Sequence, residues 1–551
     1  MTSRRCAGGY GGSLGRRSRS WDAASARSLV LVTSARESAG LDAHTIAAGV
    51  PSRALMQRAG AAAAGEITRL LRRSPTRSTV IYAGSGNNGG DGWVVARSLA
   101  AGGVPVVVVA VGDARTDDSR AERALAEAEP LVHVVPLEDD PATIATGAPA
   151  VVVDALLGTG AKGAPRDAVA TAIATIARLR ERGATVVSLD IPSGVDADSG
   201  VAEQAVRADV TLTFGTAKRG LLVARGAVGR IVVLDIGLTG GASDAEHAIT
   251  LVTAPWVRSI IPVLPADAHK GTRKKLVVVG GQVGMAGAPV LAARAAMWSG
   301  IGMVRLVVAP ESVAVVQASE PHALARSWPT DTGGWDEVLG EWPDAVLVGP
   351  GLGGSTRSRE MVEQILRSWR GPVVLDADAL NVFKGEPEAL GQLLGGRPAL
   401  LTPHVVEFSR LSGVATVDVL ARRFDVGVEL ARIVGAAVLL KGVPTVVTAT
   451  DGARLVSAAG TPALAAAGSG DVLGGIAATL LGQLGDAQHA GAAAAWVHGR
   501  AAEIAERGGG GGSRGVTLGD VERAIARVWA EDLPSPVYPA LAELPPVGDQ
   551  G

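Results

Sequence analysis

The stretch Ala83-Gly-Ser-Gly-Asn-Asn-Gly-Gly-Asp-Gly92 follows the apolar run Thr79–Ala83 and opens an Ala-rich helical segment, Gly92–Ala101. A strand that feeds a Gly-rich turn and then a helix is the unit from which parallel sheets are built. Working outward, apolar β-branched runs recur at Val104–Val111, Ala150–Val153, Thr185–Leu189, Val210–Phe214 and Arg230–Asp235, with helical segments such as Ala168–Arg182 between them. Continuous Val/Ile runs separated by helices imply a parallel sheet covered on both faces. The expected fold class is therefore α/β and doubly wound. A second series follows at Lys275–Gly280, Met303–Ala309, Ala345–Val348, Pro372–Asp376, Ala399–Leu401, Ala437–Lys441 and Thr445–Ala449.

The chain has 551 residues, which suits two domains of ordinary size. The short polar stretch Thr239-Gly-Gly-Ala-Ser-Asp reads as a linker, with the boundary near residue 245. The expected organisation is a disordered tail over 1–28 (or an artefact of a misplaced start), one domain over 29–243 and another over 250–535. Gly508–Gly512 reads as a flexible surface loop. With 52 Lys+Arg against 54 Asp+Glu, no basic field exists to hold a nucleic-acid backbone. No apolar run reaches the roughly 18 residues of a spanning helix, and Leu29–Val32 is too short for a signal-peptide core. The single cysteine, Cys6, excludes a disulfide framework within the chain and fits a reducing cytoplasm. Neither nucleic acid nor membrane is expected as a partner.

Glycines in 84–92 let backbone approach a phosphate closely, and free N–H groups at a helix start favour an anion. The spacing is neither that of a dinucleotide fingerprint nor of a Walker loop. Asn87, Asn88 and Asp91 add oxygens suited to a hard cation or to sugar hydroxyls, although a plain Gly/Asn turn would read the same way. Two further loops repeat the pattern. Val151–Val153 runs into Asp154 and then Ala-Leu-Leu-Gly-Thr-Gly160, and Thr185–Leu189 runs into Asp190-Ile-Pro-Ser-Gly-Val-Asp196. Each Asp alone reads as a helix cap or turn former. Three such loops at the carboxyl edge of one sheet favour a site.

In the second half the sharpest string is Ala465-Ala-Ala-Gly-Ser-Gly-Asp-Val-Leu-Gly-Gly475. Backbone N–H groups at a helix start can cradle a phosphoryl group in transfer, and Asp471 stands where it could take a proton from an attacking hydroxyl. A capped helix after a flexible loop is the competing reading.

Taken together and in order, GSGNNGGDG, VVDALLGTG, LDIPSGVDADSG and ADVTLTFGTAKRGLL resemble the NAD(P)H-hydrate epimerase family over about residues 30–240, with Leu55-Met-Gln-Arg-Ala-Gly60 similar to its N-terminal helix. The resemblance implies that Asn87, Asn88, Gly89, Gly90 and Asp91 contact the hydrated cofactor together with the loop Gly158, Thr159, Gly160, Ala161, Lys162, Gly163 and Ala164. It implies a potassium ion held by Asn88, Asp154 and Ser193, with Asp190 as the catalytic residue near the reacting carbon. Lys218 is a candidate for the cofactor's phosphates, with a solvated surface lysine as the alternative. Over about 255–530 the chain resembles the ribokinase-like NAD(P)H-hydrate dehydratases. The strings are His269-Lys-Gly-Thr-Arg-Lys-Lys, Gly349-Pro-Gly-Leu-Gly353, Leu375-Asp-Ala-Asp-Ala-Leu-Asn381, Leu401-Thr-Pro-His404 and Leu440-Lys-Gly-Val-Pro-Thr445. This resemblance implies that Ala288, Gly353 and His404 line the substrate pocket. Lys441, Gly442, Val443, Pro444, Thr445 and Gly470 would hold the adenine nucleotide, and Asp471 would meet the substrate hydroxyl. Val405-Val406 stands where family members commonly have Pro-Gly, and Ser469 where Thr is usual.

The expected architecture is thus two doubly wound domains, Rossmann-like and then ribokinase-like. The resemblance implies epimerisation of hydrated NADH and NADPH with K⁺, then dehydration with Mg²⁺ and a nucleotide. Bacterial members generally use ADP, and the Ala-, Gly- and Arg-rich composition suits a high-GC bacterium, so ADP is expected, with ATP as the alternative. A homo-oligomer is also expected. The rivals are a small-molecule kinase of the same superfamily and a first half that merely binds.

Overall fold

The computed structural model describes residues 29–74, 78–138, 149–239, 248–329, 334–509, 512–530 and 536–547. The expected tail 1–28 with Cys6, the linker and boundary within 240–247, and the centre of the glycine run at 510–511 lie outside the described residues.

The first sheet has eight strands in the order Ala540–Leu544, Arg230–Leu234, Val210–Phe214, Thr185–Leu189, Val151–Ala155, Thr79–Ala83, Val106–Ala110 and Val132–Val135. All neighbours are parallel except the first pair. The chain starts at Thr79–Ala83, winds outward one way, returns to Val151–Ala155 and winds the other way. The strand order therefore reverses between those two strands, and in open α/β sheets ligands bind at such a switch point.

The second sheet has twelve strands: Leu324–Ser327, Met303–Val308, Lys275–Val279, Ala345–Val348, Val373–Leu375, Ala399–Leu401, Ala437–Leu440, Thr445–Thr448, Arg454–Ser457, Ile249–Leu251, Val30–Thr33 and Ala217–Lys218. Its switch point lies between Lys275–Val279 and Ala345–Val348. The helix Ser469–Leu484 packs against the helix Gly287–Trp298 along Gly475, where a Cβ would lie 2.1 Å from Ala292 O. Only glycine allows that approach.

The two sheets do not follow the expected ranges 29–243 and 250–535. Val30–Thr33 leaves the first half to pair antiparallel with Ile249–Leu251. Ala217–Lys218 then pairs with Val30–Thr33. In return, Ala540–Leu544 crosses back to cover Arg230–Leu234. One apolar cluster accordingly joins Val32, Leu221 and Ile231 to Phe424, Val456 and Leu544. Val30–Thr33, Ile249–Leu251 and Ala540–Leu544 carry no distinctive string, because their apolar faces are completed by partners distant in sequence. The first site helix also begins earlier than its apolar pattern suggests, at Asn87.

Candidate active sites

At the first switch point the helix Asn87–Ala101 starts directly after Gly86, which supplies no side-chain cap. Its first N–H groups are left for a ligand. Two of the glycines here serve the protein's own backbone. A Cβ on Gly84 would lie 1.9 Å from Leu156 O, and one on Gly89 would lie 1.9 Å from Gly84 O. Gly90 is buried against Met56. A cavity of about 570 Å³ opens beside this turn. Asn87, Asn88, Asp91, Gly158, Thr159, Gly160, Ala161 and Asp190 line it, whereas Gly89 and Gly90 do not. Gly163 and Ala164 line a smaller neighbouring cavity instead. Lys162 is exposed and reaches Asp196 (3.1 Å) and Asp198 (3.2 Å), away from the large cavity.

Asn88, Asp154 and Ser193 are brought together around Leu157. Asp154 is fully buried. It accepts hydrogen bonds from Ser188 Oγ (2.8 Å), Ser193 N (2.8 Å), Ser193 Oγ (2.6 Å) and Leu156 N (3.3 Å). Burial raises its pKa, and these donors oppose the rise. Ser193 Oγ accepts from Leu157 N at 2.9 Å, and Asn88 Nδ2 donates to Leu157 O at 2.8 Å and Leu189 O at 3.2 Å. Asn88 Oδ1 is buried and has no hydrogen-bond partner. An orphaned oxygen beside a buried carboxylate and a hydroxyl is a donor set that fits a hard monovalent cation.

Asp190 stands at the sheet edge with φ of +62°. Its Oδ1 accepts from Lys218 Nζ at 2.6 Å, with Thr213 Oγ at 3.3 Å and Phe214 N at 3.4 Å. Lys218 is 1% exposed. It is therefore neither a surface lysine nor a free phosphate hook, which corrects both readings of its sequence position. It is the buried counter-ion of Asp190.

At the second switch point a Cβ on Gly280 would lie 1.9 Å from Pro350 O, and one on Gly349 would lie 1.8 Å from Asp376 O, so these turns are pressed together. Asp376 is 1% exposed and takes the ammonium of Lys441 on Oδ1 at 2.7 Å. Glu407 approaches the same ammonium at 3.7 Å. Burial lowers the Lys441 pKa, but Asp376 and Glu407 outweigh it and the net shift is upward. The helix Ser469–Leu484 starts over this pair. A Cβ on Gly470 would be 3.4 Å from Lys441 Nζ. Asp471, in its first turn, is pushed up to about 7 by burial and by the charge of Asp376. A carboxyl held there is poised as a proton acceptor at neutral pH.

The flanking loops place the other expected residues. Gly353, at φ of +83°, donates its N–H to Asp378 Oδ2 at 2.8 Å. Ala288 faces the Gly349–Gly353 turn, 3.4 Å from where a Gly351 Cβ would stand. His404 caps the helix Val405–Ser412, its Nδ1 accepting from Val406 N (3.1 Å) and Glu407 N (3.4 Å) while Glu407 accepts from His404 N (2.9 Å). A reciprocal capping box thus forms although Val405-Val406 replaces Pro-Gly. In the Lys441–Thr445 segment, Arg423 Nη1 donates to Pro444 O at 3.1 Å, Thr445 Oγ donates to Gly442 O at 3.0 Å, and Val443 is 59% exposed. His498 was not anticipated. It is buried 3.4 Å from Ser469 Oγ, and burial together with the Lys441 charge lowers its pKa to about 4. Nothing in its Ala-rich helix marks it in the sequence. Asp42 on the cavity wall was likewise unmarked.

Two acid-bearing, glycine-turned sites, one per sheet, define a two-site α/β enzyme. Residues 52–220 match the family described as YjeF-related protein N-terminus, and residues 276–523 match NAD(P)H-hydrate dehydratase. The bifunctional NAD(P)H-hydrate repair enzyme of Salinibacter ruber is 35% identical over 541 residues, covering 91% of this chain and 96% of that protein. Those of Moorella thermoacetica (35%; 86% and 91% covered) and Escherichia coli (32%; 86% and 89% covered) are also similar. Among solved structures, the ADP/ATP-dependent NAD(P)H-hydrate dehydratase of Bacillus subtilis co-crystallised with ATP and Mg²⁺ is 29% identical, with a TM-score of 0.44. That match covers 50% of this chain and 96% of the other. The chain belongs to the family of bifunctional NAD(P)H-hydrate repair enzymes. No helix among the described residues is long and apolar enough to cross a membrane.

Proposed function

We propose that the first site interconverts the R and S forms of hydrated NADH and NADPH, and that the second dehydrates the S form with ADP, giving the reduced cofactor, AMP and phosphate. The observation that carries this reading is the pairing of two switch-point sites, one with an ion-paired carboxylate beside a cofactor-sized cavity and one with Asp471 at a bare helix start. We assign the first activity to the range 29–243 and the second to the ribokinase-like range 250–535, with the strands exchanged at their edges.

In the first site, Asp190 carries its charge towards C6 of the nicotinamide ring, where a cation develops when the hydroxyl departs. The fixed carboxylate lowers that barrier because it needs no reorganisation. Asn87, Asn88, Asp91 and the loop Gly158–Ala161 would contact the cofactor. Asn88, Asp154 and Ser193 would hold potassium, which supplies positive charge that fixes these loops. In the second site, Asp471 takes the proton of the C6 hydroxyl as its oxygen attacks the terminal phosphoryl group of the nucleotide. The helix-start N–H groups at Gly470 receive the charge that builds on phosphorus-bound oxygen. Lys441, Gly442, Val443, Pro444 and Thr445 would hold the nucleotide, with Mg²⁺ travelling on its phosphates. Ala288, Gly353 and His404 would border the dihydropyridine. Phosphate then leaves C6 as the ring nitrogen donates its lone pair, and a C5 proton passes to the departing phosphate or to solvent, so that the C5=C6 bond of the reduced cofactor forms. Phosphate departs where hydroxide would not, and this supports a kinase-like site for a dehydration.

The test is to incubate the protein with mixed epimers, Mg²⁺, K⁺ and ADP or ATP and to follow recovery of reduced-nicotinamide absorbance. Conversion of both epimers is expected, faster with ADP. Recovery of only the S share would remove the epimerase reading, and a stable phosphorylated product would favour a plain kinase. We also place the protein in the cytoplasm, in keeping with its single cysteine. A homo-oligomer belongs to the same proposal, supported by a groove of about 510 Å³ bordered by the exposed Val263, Leu264 and Trp298. Light scattering reads that state directly.

A further inference from the structure

The large first cavity holds more acid than the mechanism above employs. Asp42, on the helix Ala35–Ala47, and Asp91, on the helix Asn87–Ala101, line it together with Asp190 and Lys218. Among the described residues, Lys218 is the only cationic side chain on the cavity wall. Its ammonium makes three hydrogen bonds, to Asp190 Oδ1 (2.6 Å), Thr213 Oγ (3.0 Å) and Phe214 O (2.9 Å). An ammonium has three hydrogens, so none is left for another carboxylate. Asp118 also borders the cavity, and it accepts from Ser52 Oγ at 2.6 Å. Among the described residues, Asp42 and Asp91 have no ion-pair or side-chain hydrogen-bond partner.

Two unpartnered carboxyls in one partly buried cavity, beside the ion-paired Asp190, each find the charged form disfavoured. Burial raises Asp91 well above the usual carboxylate range, and the charges of Asp190 and Asp42 raise it further while Lys218 opposes them. Burial also raises Asp42, where Lys218 works against Asp190. Of the two, Asp91 is raised the more strongly and is the one assigned the proton.

We propose that Asp91 and Asp42 are the acid–base pair of the epimerisation, one giving a proton to the departing C6 hydroxyl and the other taking one from the water that replaces it. The assignment rests on the reading that this cavity takes the hydrated cofactor. In the forward step the Asp91 carboxyl protonates the hydroxyl oxygen. The C6–O bond breaks with its electron pair going to oxygen, water leaves, and the ring nitrogen's lone pair forms the C6=N1 bond opposite Asp190. A water then adds to C6, the C6–N1 π pair returns to nitrogen, and the extra proton of that water passes to Asp42. The proton then returns from Asp42 to Asp91 through solvent, so the ring gains and loses one water, the pair is restored and no redox partner is involved. Two groups on two different helices can serve departure on one face of the ring and return on the other.

The experiment uses the full chain and the pure S epimer without nucleotide, so that only exchange is read, by chromatographic separation of the epimers after subtraction of the uncatalysed rate. Asp91→Asn and Asp42→Asn are each expected to slow exchange by about 100-fold or more, the usual contribution of a positioned proton donor or acceptor. Dehydration of the S epimer by ADP and Mg²⁺ in the same samples should stay within about twofold, since a remote intact site reports an intact fold. Added formate should restore exchange in Asp91→Ala, a rescue that a purely structural aspartate would not show. Exchange within about threefold of the unaltered chain in either Asn variant, or no rescue by formate, overturns the pair. An unaltered chain that does not exchange epimers at all overturns the epimerase reading itself.

Discussion

Asp471 makes the dehydration pH-dependent in a range where an ordinary aspartate would not. Burial and the neighbouring Asp376 hold its carboxyl at about 7 instead of 3.8. A base works only when deprotonated, so the sign is fixed: activity falls as pH falls through that value. The ionised fraction is about one half at pH 7, about nine-tenths at pH 8 and about one-tenth at pH 6, so kcat/KM should drop close to tenfold between the last two. An aspartate at 3.8 would be ionised throughout and would leave the same interval flat. The assay is the initial rate of reduced-nicotinamide recovery from the pure S epimer at subsaturating substrate, with fixed Mg²⁺ and ADP, over about pH 5.5 to 8.5. Asp471→Asn should lower the rate about 10²- to 10⁴-fold and abolish the acid limb together. It should leave epimer exchange intact. A flat profile in the unaltered chain, or an Asn variant that keeps both rate and limb, refutes the assignment of Asp471 as proton acceptor.

Asp154→Ala should stop epimer exchange and its dependence on potassium while sparing dehydration. It should also cost about 3 kcal/mol, because the Ser188 and Ser193 donors lose a buried acceptor; urea unfolding reads the loss. Gly349→Ala should abolish dehydration and spare exchange, since its Cβ would stand 1.8 Å from the Asp376 carbonyl at a backbone φ of +129°; paired activity assays on one sample separate the two outcomes. Arg219→Ala removes bonds to Asp425 (2.8 Å) and Glu37 (3.3 Å) and a stack on Phe424. With Asp425 half-exposed, the loss should be about 1–2 kcal/mol of unfolding free energy, with both activities kept at low temperature.

The two switch-point loops were legible because strand, glycine turn and helix lie consecutively in the chain, and a buried Val run followed by Asp marks a sheet edge. Asn88, Asp154 and Ser193 were grouped through the family resemblance of those loops, and they lie together around Leu157. Lys218 was misread because its burial depends on Thr213 and Phe214, which reach it only after the chain has turned. The glycines of 84–92 were read as clearing space for a phosphate, whereas Gly84 and Gly89 clear space for neighbouring carbonyls. Asp42 and His498 sit in Ala-rich helices with no local signature, and only the packing of distant elements gives either a role. The edge strands were hidden for the same reason: two to five residues such as Ile249–Leu251 say little until a partner is beside them.

The traded edge strands bear on how the chain comes off the ribosome. The first half is synthesised early, yet the apolar strand Arg230–Leu234 stays an open rim until Ala540–Leu544 emerges some three hundred residues later. During that interval an unpaired β edge invites pairing with a neighbouring nascent chain. Cutting the gene at the middle would make the exposure permanent, leaving each fragment without a border that only the other can supply.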